Sequence, residues 1–217
     1  MYHREPGASG GSSPYDKIFS HNTGRRYMPN LATLGREKRW RLAMVEAVAP
    51  RAGELVLDLA AGTGTSSDPL RKTGARVIST DLSFGMVSPD KHMHPNVDFP
   101  IGNELHLPFR DEAFDASTIS FGLRSTPNTE TALEELFRVT RSGGTLVICE
   151  FSTPNNKLFR AAYRQLLNHE APKLADSVRD WPNQEKLASR MEDAGWIDIE
   201  WRNLTGGIVA LHRAQKP

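Results

Sequence analysis

The sequence predicts an α/β fold: a mostly parallel, seven-stranded sheet with helices on both faces and a C-terminal antiparallel hairpin. Three observations carry this. The apolar run Leu55–Leu59, bounded by Gly53 and by Gly62 and Gly64, reads as a buried strand entering a small-residue turn. A second run, Arg76-Val-Ile-Ser-Thr80, ends on a carboxylate, Asp81. Further apolar runs alternate with helical patterns, and two alternating segments close the chain around Thr205-Gly206-Gly207, a hairpin signal.

The elements follow in order. Residues 1–14 are Gly/Ser-rich without periodicity and are expected to be a flexible segment; residues 15–217 are expected to form one domain. Residues 15–50 read as an N-terminal helical cover, in which Arg36–Val48 puts Trp40, Ala43, Met44 and Ala47 on one face before Pro50 stops it. Residues 51–152 form the core. Its first strand leads into a helix over Thr65–Lys72. Ser83 can cap the segment after Asp81. A third strand precedes Ile101, and Phe109–Phe114 is a turn. A fourth strand spans Asp115–Ser120. Thr129–Val139 is an amphipathic helix with Leu133, Leu136 and Phe137 inward, capped by Ser142-Gly-Gly144, and Thr145–Phe151 is the fifth strand. Residues 153–194 supply lid or substrate helices, at Lys157–Leu167 and at Pro182–Ala194, the latter capped by Asn183 and stopped by Gly195. Residues 195–213 are the closing hairpin.

Composition narrows the function. With 27 basic and 26 acidic residues the net charge is +1, so nucleic acid is not an expected partner. The single cysteine excludes an internal disulfide framework and fits a reducing cytosol; Cys149, inside an apolar run, reads as a small buried hydrophobe. No run reaches the length of a membrane span and no signal-peptide core is present, so the expected location is cytoplasmic, with any membrane contact peripheral. His92 and His94 lack the companions a metal site needs, and no metal is expected.

The glycine turn is built for a ligand that approaches the backbone. A Cβ at Gly62 or Gly64 would block it or forbid positive φ. Asp81, at a strand tip, can accept both hydroxyls of a ribose, at roughly 1.5–3 kcal/mol per charge-assisted bond. A dinucleotide fingerprint needs a third glycine where this chain has Ser67, and Asp58 would repel a pyrophosphate. Beside the ammonium of a methionine moiety the same carboxylate attracts. The pattern Asp58-x-Ala60-x-Gly62-Thr63-Gly64 looks like the first motif of S-adenosylmethionine-dependent methyltransferases, with Ala60 at the usual first glycine. Leu82 and Met86 can sandwich an adenine. Asn103 or Glu104 can accept from its amino group, and a backbone N–H nearby, at Leu105, can serve a ring nitrogen.

Beyond the turn, three stretches are more specific: Thr118-Ile-Ser-Phe-Gly-Leu-Arg124, Arg138-Val-Thr-Arg-Ser-Gly-Gly-Thr-Leu-Val-Ile-Cys-Glu-Phe-Ser152 and Trp201–His212. With them, about Tyr15–Pro217 resembles the quinone C-methyltransferases of menaquinone and ubiquinone biosynthesis, most of all the actinobacterial demethylmenaquinone type. The resemblance implies a Rossmann-like class I methyltransferase fold. It implies S-adenosylmethionine as methyl donor, with Thr63, Asp81, the Asn103–Glu104 pair and Ser120 as contacts. It further implies methylation of a ring carbon of demethylmenaquinol. A prenylated acceptor implies transient contact with the inner face of a membrane; a homodimer is left open. The chemistry calls for alignment and for a group that favours a phenolate. Arg124 is the candidate cation, and His169 and Tyr27 are candidates to take or relay the proton.

The chain departs from the family in three places. It has Tyr27-Met28-Pro29-Asn30 where the family has Tyr-Asp before the Asn, and Arg124-Ser125 where the family continues Arg-Asn. It is also shorter by about a dozen residues near Lys173–Leu174, in a connection of the length associated with lids. Two other readings stand beside this one: a methyltransferase of another phenolic or polyketide small molecule, and a non-catalytic S-adenosylmethionine-binding protein.

Overall fold

The computed structural model describes residues 30–61, 64–80 and 106–217. Six strands form one sheet in the order β2-β1-β3-β4-β6-β5: β1 Leu55–Leu59, β2 Arg76–Thr80, β3 Phe114–Ser120, β4 Thr140–Phe151, β5 Ile197–Leu204 and β6 Val209–Gln215. Strands β1 to β4 are parallel, and β6 runs antiparallel between β4 and β5. The expected strand before Ile101 lies outside the described residues.

The order reverses between β1 and β3, which pair directly, Asp58 beside Thr118. The chain leaves β1 for β2 on one side and resumes at β3 on the other. The carboxyl edge at such a reversal is where open α/β sheets bind ligands, in a crevice outside the strand ends.

Seven helices flank the sheet among the described residues: α1 Asn30–Thr33, α2 Glu37–Val48, α3 Ser67–Arg71, α4 Thr129–Val139, α5 Lys157–Glu170, α6 Pro172–Asp180 and α7 Gln184–Asp193. Helix α4 matches its periodicity, burying Ala132, Leu133, Leu136 and Val139. Each large aliphatic side chain contributes roughly 1.5–3 kcal/mol on such burial. Asn183 caps α7 by accepting from Lys186 N, and Gly195, at φ 96°, ends it, as the sequence predicts. Cys149 is buried, and that burial holds its thiol protonated.

Two expectations change. Ser142-Gly-Gly144 does not cap α4; these residues belong to β4, in a bulge where pairing jumps from Phe114–Thr140 to Ala116–Thr145. A Cβ at Gly144 would stand 2.9 Å from Asp115 O, so the glycine serves strand approach and not a helix end. Second, α6 was not expected. It runs uninterrupted through Lys173–Leu174, and Ala171 alone separates it from α5.

The N-terminal cover does more than pack on the sheet. Trp40 of α2 donates from Nε1 to Thr205 Oγ1 at 2.9 Å, and its ring lies 5.8 Å from Phe121 and 6.3 Å from Phe151. It thus joins the tips of β3 and β4 to the turn of the closing hairpin. Tyr163 of α5 donates to Ala32 O at 2.6 Å, anchoring α1.

Candidate active site

The crevice has two sides. On the first, β1 ends in Asp58, which is fully buried. Its Oδ2 accepts from the hydroxyls of Ser66, at 2.7 Å, and Ser67. Ser67 Oγ in turn accepts from Ser79 Oγ at 2.7 Å, and Arg71 Nη2 donates to Ser79 Oγ at 3.0 Å. The serine that replaces a dinucleotide fingerprint's third glycine is therefore part of a hydroxyl relay tying β1, β2 and α3. Such a relay fixes the carboxylate's position.

Backbone strain gathers at the tips. Ala60 has φ 54° and Phe121 has φ 58°, a conformation uncommon outside glycine, and the two residues end neighbouring strands. Gly64 has φ 70°. Paired outliers of this kind mark sites whose surroundings hold them in place. The tips also touch: a Cβ on Gly122 would lie 2.3 Å from Ala60 Cβ, so the methyl at position 60 requires glycine at 122. Ser120, half-buried at the end of β3, donates its hydroxyl to Met44 Sδ, bringing α2 to the crevice.

On the second side stands Arg124, in the 3-10 turn Leu123–Ser125 after β3. Its side chain is only 13% exposed. Nη1 donates to Ser177 Oγ of α6 at 2.7 Å, Nε lies 3.5 Å from Glu150 Oε1, and the guanidinium sits 5.7 Å from the Phe151 ring centre. Glu150, at the carboxyl end of β4, is 1% exposed. Burial pushes its carboxyl above the usual range, while Arg124 and the backbone N–H groups of Phe151 and Arg124 pull it back. Sequence reading missed Glu150. A lone carboxylate inside an apolar run was the available signal. Beyond Ser152–Pro154 a cleft of about 70 Å³ opens between α5 and α6. Tyr163, Leu167, Ala175 and Val178 give it apolar walls, with Arg160, Arg164 and Arg179 also lining it.

Asp58, Ala60, Gly64 and Ser120 thus gather at the crevice, with Arg124 beyond Gly122. His169 does not join them: it ends α5 with its side chain 83% exposed, bonded to Glu170. Tyr27, Gly62, Thr63, Asp81, Leu82, Met86, Asn103, Glu104 and Leu105 lie outside the described residues. For S-adenosylmethionine, the donor set fits on what is described: a buried carboxylate held by hydroxyls, beside positive-φ backbone that a ligand can approach.

The chain is similar to known proteins in sequence and in fold. The model of the ubiE/COQ5 methyltransferase family matches residues 13–216. A demethylmenaquinone methyltransferase of Streptomyces griseus is 47% identical over 201 residues, covering 86% of this chain and 87% of that protein. One from Paenarthrobacter aurescens is 48% identical over 202 residues, covering 87% and 80%. Among solved structures, Haemonchus contortus phosphoethanolamine N-methyltransferase 2, in complex with S-adenosyl-L-methionine, superposes with a TM-score of 0.67. It is 15% identical, and the match covers 82% of this chain and 52% of that one. That likeness concerns the fold.

Proposed function

We propose, for a chain that belongs to the ubiE/COQ5 methyltransferase family, that it methylates a ring carbon of demethylmenaquinol to give menaquinol. The identity of nearly half the aligned residues to demethylmenaquinone methyltransferases supports the acceptor class. The observation that carries the mechanism is a guanidinium, Arg124, held next to the crevice against a buried carboxylate.

S-adenosylmethionine would supply a methyl group already made electrophilic by its positively charged sulfur. The protein's task is alignment and activation of the acceptor. On the cofactor side, the charge of the buried Asp58 would attract the ammonium from behind the turn, and Ala60, Gly62, Thr63 and Gly64 would line that turn. Asp81 would hold the ribose, and Leu82, Met86, Asn103, Glu104 and Leu105 the adenine, with Ser120 closing the site from β3. On the acceptor side, Arg124 would stabilise the oxyanion as a quinol hydroxyl gives up its proton, which makes the adjacent ring carbon nucleophilic. That carbon exchanges its hydrogen, lost as a proton, for the methyl group, so the quinol is neither oxidised nor reduced. Half-buried Phe121, packed on buried Trp40 and Phe151, would offer its ring to a flat acceptor. His169, whose side chain stands in solvent, would take the proton only through a relay.

Among the described residues no helix is long and apolar enough to cross a membrane. Access to a prenylated acceptor would then be by peripheral contact, with the tail leaving through the apolar cleft between α5 and α6. The test is methyl transfer from labelled S-adenosylmethionine to demethylmenaquinol, run beside the oxidised quinone. Label in the reduced acceptor alone supports the reading. Absence of label with intact cofactor binding by calorimetry moves it to another phenolic acceptor or to a binding protein. Asp81→Ala is expected to weaken cofactor binding by on the order of tenfold to a hundredfold without unfolding the domain. Unchanged affinity removes Asp81 from the ribose.

A further inference from the structure

Glu150 is the deepest charged group next to the acceptor side, and its surroundings are unusual. Its Oε1 accepts from Phe151 N at 2.8 Å, and Oε2 accepts from Arg124 N at 3.2 Å. Arg124 Nε is 3.5 Å from Oε1, yet it is buried without a hydrogen bond. The carboxylate therefore grips Arg124 twice, through backbone and side chain, across 26 residues of sequence. At the other end Arg124 Nη1 reaches Ser177, 53 residues on, whose hydroxyl itself donates to Leu174 O at 3.0 Å. Among the described residues Nη2 makes no hydrogen bond, so one edge of the guanidinium is uncommitted.

Such a pair is a poor way to stabilise a fold. A buried carboxylate whose cation meets it at 3.5 Å loses hydration without the close, bidentate geometry that offsets the loss. An arrangement of this kind makes sense if the position of the cation matters more than its stability. Glu150 cannot itself meet the acceptor: it is 1% exposed, and both its oxygens are occupied.

We propose that Glu150 is a positioning residue that holds Arg124 with its Nη2 edge toward the acceptor oxygen, and that Ser177 makes the docking of α6 part of the same arrangement. This rests on Arg124 facing the acceptor, as argued above. Helix α6 then closes the acceptor side only when the guanidinium is in its working position. A rigid cover and an aligned cation become one state, not two.

A double-mutant cycle on the full-length protein, with S-adenosylmethionine and demethylmenaquinol, tests it. Glu150→Gln is expected to lower kcat by about tenfold or more while KM for S-adenosylmethionine stays within about twofold. In the Arg124→Ala background the same substitution is expected to change kcat by less than about twofold, because a residue acting through Arg124 has nothing left to act on. Ser177→Ala, at a half-buried position, is expected to lower kcat by about threefold to tenfold and to show the same non-additivity; it serves if Glu150→Gln does not fold. An unchanged kcat, or losses that multiply with that of Arg124→Ala, overturns the proposal. Wild-type protein without turnover would instead count against the acceptor reading. Amide hydrogen exchange then decides the present one without any acceptor: Glu150→Gln or Ser177→Ala should raise exchange in α6 by about fivefold while leaving α4 unchanged, and unchanged exchange in α6 overturns it.

Discussion

The two sides of the crevice are built by different means. The side proposed for the cofactor is local. Asp58, Ser66, Ser67 and Ser79 lie within one strand–helix–strand unit, and hydroxyls hold its carboxylate. The acceptor side is assembled from distant stretches. Arg124, Glu150 and Ser177 come from a turn, a strand end and a helix, and a buried ion pair joins them. Hydroxyl relays fix a carboxylate in one place, which suits a ligand bound in one pose. A buried ion pair is costly and sensitive to its neighbours, which suits a site where charge develops during reaction. Binding and chemistry should therefore respond separately to substitution.

The largest effect should come from the cation. Arg124→Ala is expected to slow methyl transfer by on the order of a thousandfold, ~4 kcal/mol, with cofactor affinity within about twofold. Equal losses in both would break the separation and make Arg124 a structural partner of Glu150. Next is a pH effect on the support of the acceptor side. His212, buried in β6, donates from Nε2 to Gln184 O, and Gln184 Nε2 donates to Thr153 O in the loop after β4. Burial pushes the His212 imidazole from 6.5 down to about 4. The folded state then binds fewer protons than the unfolded one between those values. Its contribution is present above about pH 6.5 and is lost as pH falls toward 4, by roughly 3 kcal/mol. Denaturant midpoints measured from pH 7 to pH 4 should fall accordingly, and His212→Gln should flatten the slope.

A smaller effect tests the contact between the two sides. Gly122→Ala is expected to cost about 2 kcal/mol, since its methyl would meet that of Ala60. Gly122 sits at φ −109°, open to alanine, so the conflict is steric alone. Adding Ala60→Gly should restore most of the loss, and thermal unfolding of the single and double variants measures the coupling. If the double variant is no better than the single, the tips do not touch as described. The smallest effect concerns helix α5. Asn156 caps α5 by accepting from Leu158 N and Phe159 N, and Asn156→Ala should cost about 1 kcal/mol by the same measurement.

The same division governs what could be read from the chain. Strand β1, helix α4 and the Asn183 cap are local features: apolar runs, capping and helical spacing, each written within a dozen residues. Asp58 was legible for the same reason. Helix α6 was missed because Pro172 opens it and charged residues dominate it, with Ala175 its buried residue. The glycine pair at 143–144 was misread because a bulge and a helix stop ask for the same residue, and only the neighbouring strand distinguishes them.

Sequence by itself determined the fold class and the family, because those depend on backbone conformation and periodicity that nearby residues impose. Only the tertiary structure decided that Arg124 faces Glu150, that Ser177 reaches it from a third element, and that His169 points to solvent. Burial and partner choice arise when strands and helices far apart in sequence pack at one edge, and the desolvation that gives a buried charge its significance does not exist until they do.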